Sequence, residues 1–237
     1  MSTLVESQYY FPSGFGNVLD DVFKKNEAVW HILTNRKIIF EKLNGQIISP
    51  SANIGSYVEL DGHIHIGENV VIGSSVKIKG PVIIGDNVAI EHGALIRPYT
   101  FIDNECSVGH GSEIKGTIMM RGAKVSSLAF VGDSVLGKKA RVASGVVTAN
   151  RRFDQRNIQL SFDSVNKIET EVDFFGCILG EGSRLGVNSI TSPGTLIGAN
   201  TFVDSLVKVS GYIPSEKFIS INHEYKIFDN KFSGDLK

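Results

Sequence analysis

Lys79, Arg97 and Lys115 stand eighteen residues apart, and His92 and His110 repeat the interval. If eighteen residues bring the chain back over itself, the three cations form a column on one edge. Like charges stacked at strand spacing repel unless an anion or carboxylates sit among them. Such a column is either a clamp for a phosphate group or an edge whose long side chains reach into water. The histidines would form a second column, of a side chain that exchanges a proton near neutral pH. Cys106 and Cys177 are the only cysteines. Cys106 falls at an inward position of the repeat described next, so a buried free thiol is expected there, not a disulfide, which suits a reducing cytoplasm. No metal site is expected.

The interval rests on a six-residue repeat. Ile54, Leu60, Ile66, Ile72, Ile78, Ile84, Ile90, Ile96, Ile102, Val108, Ile114 and Met120 are large aliphatic residues at successive hexad starts. A smaller set follows four positions after each start, among them Val70, Val88, Cys106, Ser112 and Ile118. No helix has a period of six, and a hairpin sheet would not keep it through its turns. The period fits an all-β solenoid, a left-handed parallel β-helix of hexapeptide repeats. Each hexad supplies one short strand and a corner, and three hexads close a coil. Coils stack at roughly 4.8 Å, so residues eighteen apart lie one above the other.

Residues 1–47 lack the hexad. Val18, Leu19, Val22 and Phe23 recur at helical spacing from Asn17 to Lys25, and Val29, Trp30, Ile32 and Leu33 do so from Asn26 to about Asn35. A strand-like Ile38-Ile39-Phe40 follows. This small α-helical N-terminal cap, with Trp30 in its core, is expected to cover the open first coil. The β-helix is expected over 48–213, in strict register to Met120. Ser126 and Gly132 then occupy expected inward positions, and register resumes one residue short at Leu136. A charged loop over 151–174 protrudes from the solenoid, and 214–237 form a C-terminal tail.

With 24 Lys and Arg against 25 Asp and Glu, no basic surplus points to nucleic acid or to an anionic membrane surface. Met1 to Phe11 has neither the basic start nor the apolar run of a secretion signal, and no stretch has the length of a membrane span. One elongated cytoplasmic domain is expected.

Five motifs carry a resemblance: Ile96-Arg97-Pro98-Tyr99-Thr100, Glu113-Ile114-Lys115, Val131-Gly132-Asp133-Ser134, Thr148-Ala149-Asn150-Arg151-Arg152-Phe153-Asp154 and Ser192-Pro193-Gly194-Thr195. In them the chain resembles the acetyltransferase half of the bifunctional enzymes that make UDP-N-acetylglucosamine, in its free-standing form without a nucleotidyltransferase domain. The resemblance implies that Arg97 and Lys115 hold a sugar 1-phosphate and that Asn150 contacts the sugar. Phe130 stands where the family has a tyrosine. Ser127 stands where the family has its catalytic histidine, directly before Leu128. Loss of a general base costs about 10²–10⁴-fold in rate. By the eighteen-residue interval His110 lies beside the position under Ser127, and it is either a substitute base or an ordinary corner residue. His92, Asp133 and the 151–174 loop of a neighbouring subunit come next.

The function implied is an acyl-CoA-dependent acyltransferase, with acetyl-CoA or another acyl-CoA as co-substrate and a sugar phosphate or nucleotide-sugar as acceptor. It would work as a homotrimer with CoA between parallel solenoids. The alternative, raised by Ser127, is a catalytically impaired sugar-phosphate-binding or regulatory protein, partnered with a separate nucleotidyltransferase.

Overall fold

The computed structural model describes residues 5–20, 22, 28–162, 167–222 and 224–230. Short parallel strands stack into three flat faces. Face 1 runs from Gln46–Ile48 to Tyr212–Ile213, face 2 from Asn53–Ile54 to Phe218–Ile219, and face 3 from Glu59–Asp61 to Lys208–Val209. The chain visits them in turn and completes about nine turns of a left-handed β-helix. One large aliphatic residue fills the interior in most strands, among them the buried Ile66, Ile72, Ile78, Ile84, Ile90 and Ile96, and Thr148 and Thr191 take that place in two later strands of face 3. Corners need a left-handed backbone, which asparagine tolerates better than most side chains, and Asn69, Asn87, Asn188 and Asn200 adopt it.

The register differs from the expected one in the middle coils. Successive coils are offset by eighteen residues through Leu95↔Glu113, by seventeen from Phe101↔Ile118 to Phe130↔Val147, and by eighteen again from Cys177↔Thr195 to Ile190↔Lys208. Two corners are one residue short, between Ile114 and Met119 and between Val131 and Leu136. Met119, not Met120, therefore points into the solenoid, and Val125 and Val131 take the inward places expected of Ser126 and Gly132. Ile118, expected inside, faces out with Met120. Both short corners lie between face 3 and face 1, the edge that carries Lys115.

The N-terminal segment forms helices at Ser7–Tyr10, Asn17–Asp20 and His31–Asn35 and a 3-10 helix at Arg36–Phe40, where a strand was expected. The rest of the expected Asn17–Lys25 run, Phe23 included, lies outside the described residues. The segment does not cover the first coil, where Ile47 is 52% and Ile54 36% exposed. It packs along face 1. Tyr10, Phe11, Leu19, Trp30, Ile32 and Phe40 share a buried cluster with Phe101, Ile118, Val135, Ile178 and Leu196. The reason is composition: those outward positions of face 1 are apolar, and burying them gains more than covering one coil end. Packing of Ile39 and Phe40 on that cluster overrides the local strand preference. Loop 151–174 leaves the solenoid and forms an antiparallel hairpin, Gln159–Ser161 with Lys167–Glu169. Its Ile158, Leu160 and Val172 return to the same cluster. Pro214 to Ile219 complete the last coil through the pairing of Phe218 with Phe202.

Candidate functional site

Lys79, Arg97 and Lys115 do lie at the ends of successive strands of face 3, Arg97 one residue past its strand, at the edge with face 1. Carboxylates sit among them. Arg97 pairs with Glu113 at 2.7 Å, and Lys115 with Asp133 at 2.9 Å. Lys79 is exposed. Asp133 sits in the second short corner with φ +46, and that turn buries its carboxylate to 1% exposure. A carboxylate so deprived of water needs cations and donors around it. One oxygen accepts from Lys115 Nζ and from Asn150 Nδ2 at 2.7 Å, and the other from Arg36 Nη2 at 2.9 Å.

Phe130 and Asn150 meet over Gly132. A side chain there would stand 2.7 Å from Asn150 Nδ2 and 2.8 Å from Phe130 Cζ, so only glycine leaves both in place. Lys115 also lies over the Phe174 ring, 4.2 Å from its centroid, and the Arg151 guanidinium lies 4.7 Å from it. Lys115, Asn150 and Phe130 thus gather in one recess, with Arg97 on the coil below.

Ser127 and His110 lie at the other edge of face 3, where it meets face 2. The seventeen-residue coil sets Ser127 over His110 itself, not over its neighbour. Leu128 N–H donates to the His110 carbonyl at 2.8 Å, and Gly111 N–H to that of His92 at 3.2 Å, so His92, His110 and Ser127 form one column. The two imidazoles stack at 3.9 Å with 19° between their planes. His110 Nδ1 lies 3.0 Å from the His92 carbonyl oxygen. A carbonyl can only accept, so the neutral ring holds its proton on Nδ1 and its lone pair on Nε2. Nε2 is then the nitrogen that could accept a proton.

Two residues of the recess, Arg36 and Phe174, escaped the sequence reading, and a third was given another role. Asp133 was visible only as a fallback base, and its corner position depends on the shortened coils. Arg36 comes from a segment with no repeat to place it, and Phe174 from the end of the loop. Both cysteines are buried free thiols. Cys106 Sγ donates to the Met120 carbonyl at 3.2 Å.

The family model of the GMPPB C-terminal domain matches residues 78–226. The chain belongs to this family. Relatives also bear out the resemblance to the acetyltransferase half of the bifunctional enzymes. The bifunctional protein GlmU of Methanocaldococcus jannaschii is 33% identical over 190 residues, 80% of this chain and 45% of that one. The uncharacterized acetyltransferase YaiX of Escherichia coli O6:K15:H31 is 34% identical over 104 residues, 44% of this chain and 45% of that one. The chain spans between about a quarter and under a half of the length of the curated relatives it matches. Among solved structures, Arabidopsis UDP-N-acetylglucosamine acyltransferase superposes with a TM-score of 0.35 at 13% identity, over 73% of this chain and 69% of that one.

Proposed function

We propose that this protein is an acyltransferase that moves an acyl group from acyl-CoA, acetyl-CoA in the first instance, to a sugar phosphate or nucleotide-sugar. The observation that carries this is the convergence of Lys115, Asn150 and Phe130 on one recess of face 3, with Ser127 and His110 at the opposite edge of the same face. Lys115 and Arg97 would take the phosphate, and Asn150 the sugar. The acceptor amine or hydroxyl attacks the thioester carbonyl, its proton passes to a base, and the CoA thiolate leaves. His110 Nε2 is the lone pair available in the column beneath Ser127.

Part of acyl-CoA would lie in a groove of about 350 Å3 on face 2 that starts beside Ser127, at Ser126, and continues past Arg141 and Arg184 to Phe202 and Phe218. Lys124, Arg141 and Arg184 stack in register and are followed by the two phenyl rings. Stacked cations suit a polyphosphate, and phenyl faces suit a base. The column spans four coil steps, about 19 Å.

A homotrimer with parallel axes and a reducing, cytoplasmic setting complete the proposal. Beyond the first coil, face 1 is covered by the N-terminal segment and the loop hairpin, which leaves faces 2 and 3 to meet neighbouring copies. Among the described residues, no helix is long and apolar enough to cross a membrane. Ser127 favours a second reading, a sugar-phosphate-binding or regulatory protein that has lost the chemistry and serves a separate nucleotidyltransferase.

Release of CoA thiol, measured with acetyl-CoA and glucosamine 1-phosphate on three proteins, separates the readings. If His110 is the base, the wild type turns over and His110→Ala lowers the rate by roughly 10²-fold or more at unchanged acceptor affinity. If the chemistry is lost, the wild type is inert, and Ser127→His gains a rate that rises with pH through about 6.5. Wild-type turnover indifferent to His110→Ala would exclude both assignments.

A further inference from the structure

We propose that Arg36, delivered by the N-terminal segment, is a third ligand of the phosphate at the Lys115 recess, so that phosphate binding and docking of that segment are coupled. The inference rests on the phosphate clamp proposed above and adds a residue from outside the solenoid.

Arg36 opens the 3-10 helix Arg36–Phe40. Its guanidinium reaches 97 residues along the chain to Asp133 Oδ1. The floor beneath it is the first short corner, at Gly116 with φ +55. A Cβ there would lie 2.7 Å from Asp133 Oδ1 and 3.2 Å from Arg36 Nη2, so the corner leaves room for the guanidinium only as glycine. Arg36 is 18% and Lys115 24% exposed, so both are partly shielded yet open to a ligand. Asp133 binds them at once through separate oxygens, which fixes the two cations relative to each other before any ligand arrives.

Charge decides between a finished structural network and an open site. Arg36 and Lys115 contact one carboxylate, Asp133, and Arg151 shares the Phe174 ring with Lys115, while Arg97 divides its charge with Glu113. Two cations against one carboxylate leave one positive charge over, and Arg151 adds a second on the Phe174 ring that Lys115 covers. A phosphate monoester carries nearly two negative charges at neutral pH. Arg36 spends one of its five N–H donors on Asp133, and Lys115 one of its three, so both have donors left for phosphate oxygens. The remainder of the segment is anchored apart from this contact, by Trp30, Ile32 and Phe40 in the apolar cluster on face 1. A variant at position 36 therefore keeps its docking.

The test is calorimetric titration of the full chain with glucosamine 1-phosphate, with inorganic phosphate as a second probe. Arg36→Ala is expected to weaken binding of both about 10-fold or more, and Arg36→Lys to keep most of it. Arg36→Gln retains a donor for Asp133 without the charge, so it should fold as the wild type does and still lose the affinity. The ligand should also slow proteolysis of the N-terminal segment in the wild type and fail to do so in Arg36→Gln. If Arg36→Gln binds as tightly as the wild type while Lys115→Ala does not bind, the role of Arg36 is overturned and the clamp stands. If Lys115→Ala also binds as the wild type does, the clamp itself is wrong.

Discussion

Asp133 shows how one residue shapes the recess: its left-handed corner buries the carboxylate, and the buried carboxylate gathers Lys115, Asn150 and Arg36. Of these, the sequence marked Lys115 by its interval from Arg97 and Asn150 by resemblance. Arg36 was beyond reach, because no period relates the N-terminal segment to the coils. The inward thiols give a test at the same scale. Burial pushes Cys106 up to about 12 and Cys177 up to about 11, whereas an unfolded thiol ionises near 8.5. The folded pKa values are raised, so the stability from keeping these thiols protonated is full below about pH 8.5. It drains away as pH rises toward the folded values, because the unfolded chain then sheds protons that the folded one retains. The slope reaches at most about 1.4 kcal/mol per pH unit for each thiol. Between about pH 8 and about pH 10.5, the urea midpoint of the wild type should fall further than that of a Cys106→Ala, Cys177→Ala variant. Equal falls would show that the thiols do not titrate between those limits.

At the scale of elements, the hexads made most of the solenoid legible, since one aliphatic residue in most strands is both the period and the cause of burial. The two short corners were hidden for a physical reason. Ile118, Met119 and Met120 are all large and apolar, so a phase slip of one residue leaves an apolar residue at the expected place. Only the partner surface tells them apart. Met119 lies in the inner core, and Ile118 and Met120 lie under the N-terminal segment. Each truncation to alanine should cost about 2–5 kcal/mol, by different routes. Ile118→Ala and Met120→Ala should speed proteolytic release of the N-terminal segment, while Met119→Ala should lower the melting temperature with the segment still docked. Similar protease sensitivity in all three variants would mean that the slip is misplaced. The N-terminal segment was misread for a related reason: the sequence shows that helices exist there but not which apolar surface they seek.

At the scale of the whole molecule, the edge between faces 2 and 3 carries Tyr57, Leu128 and Leu206, which are 87%, 66% and 59% exposed. All three hold a left-handed backbone, with φ of 59°, 59° and 63°, a conformation costly for such bulky residues. Contact between copies along this edge would bury them, and Leu128 sits directly beside Ser127. Light scattering at micromolar concentration should return a trimer for the wild type and a smaller species for Leu128→Gly, whose backbone strain is relieved. A wild-type monomer would contradict the assembly. The central claim is that face 3 holds a sugar phosphate across its width. A crystal structure with glucosamine 1-phosphate and CoA tests it most directly. The account predicts a phosphate oxygen within about 3 Å of Lys115 Nζ, the sugar against Phe130 and Asn150, and its reacting atom toward Ser127 and His110 Nε2. A sugar phosphate bound elsewhere, with the Lys115 recess unaltered, would contradict it.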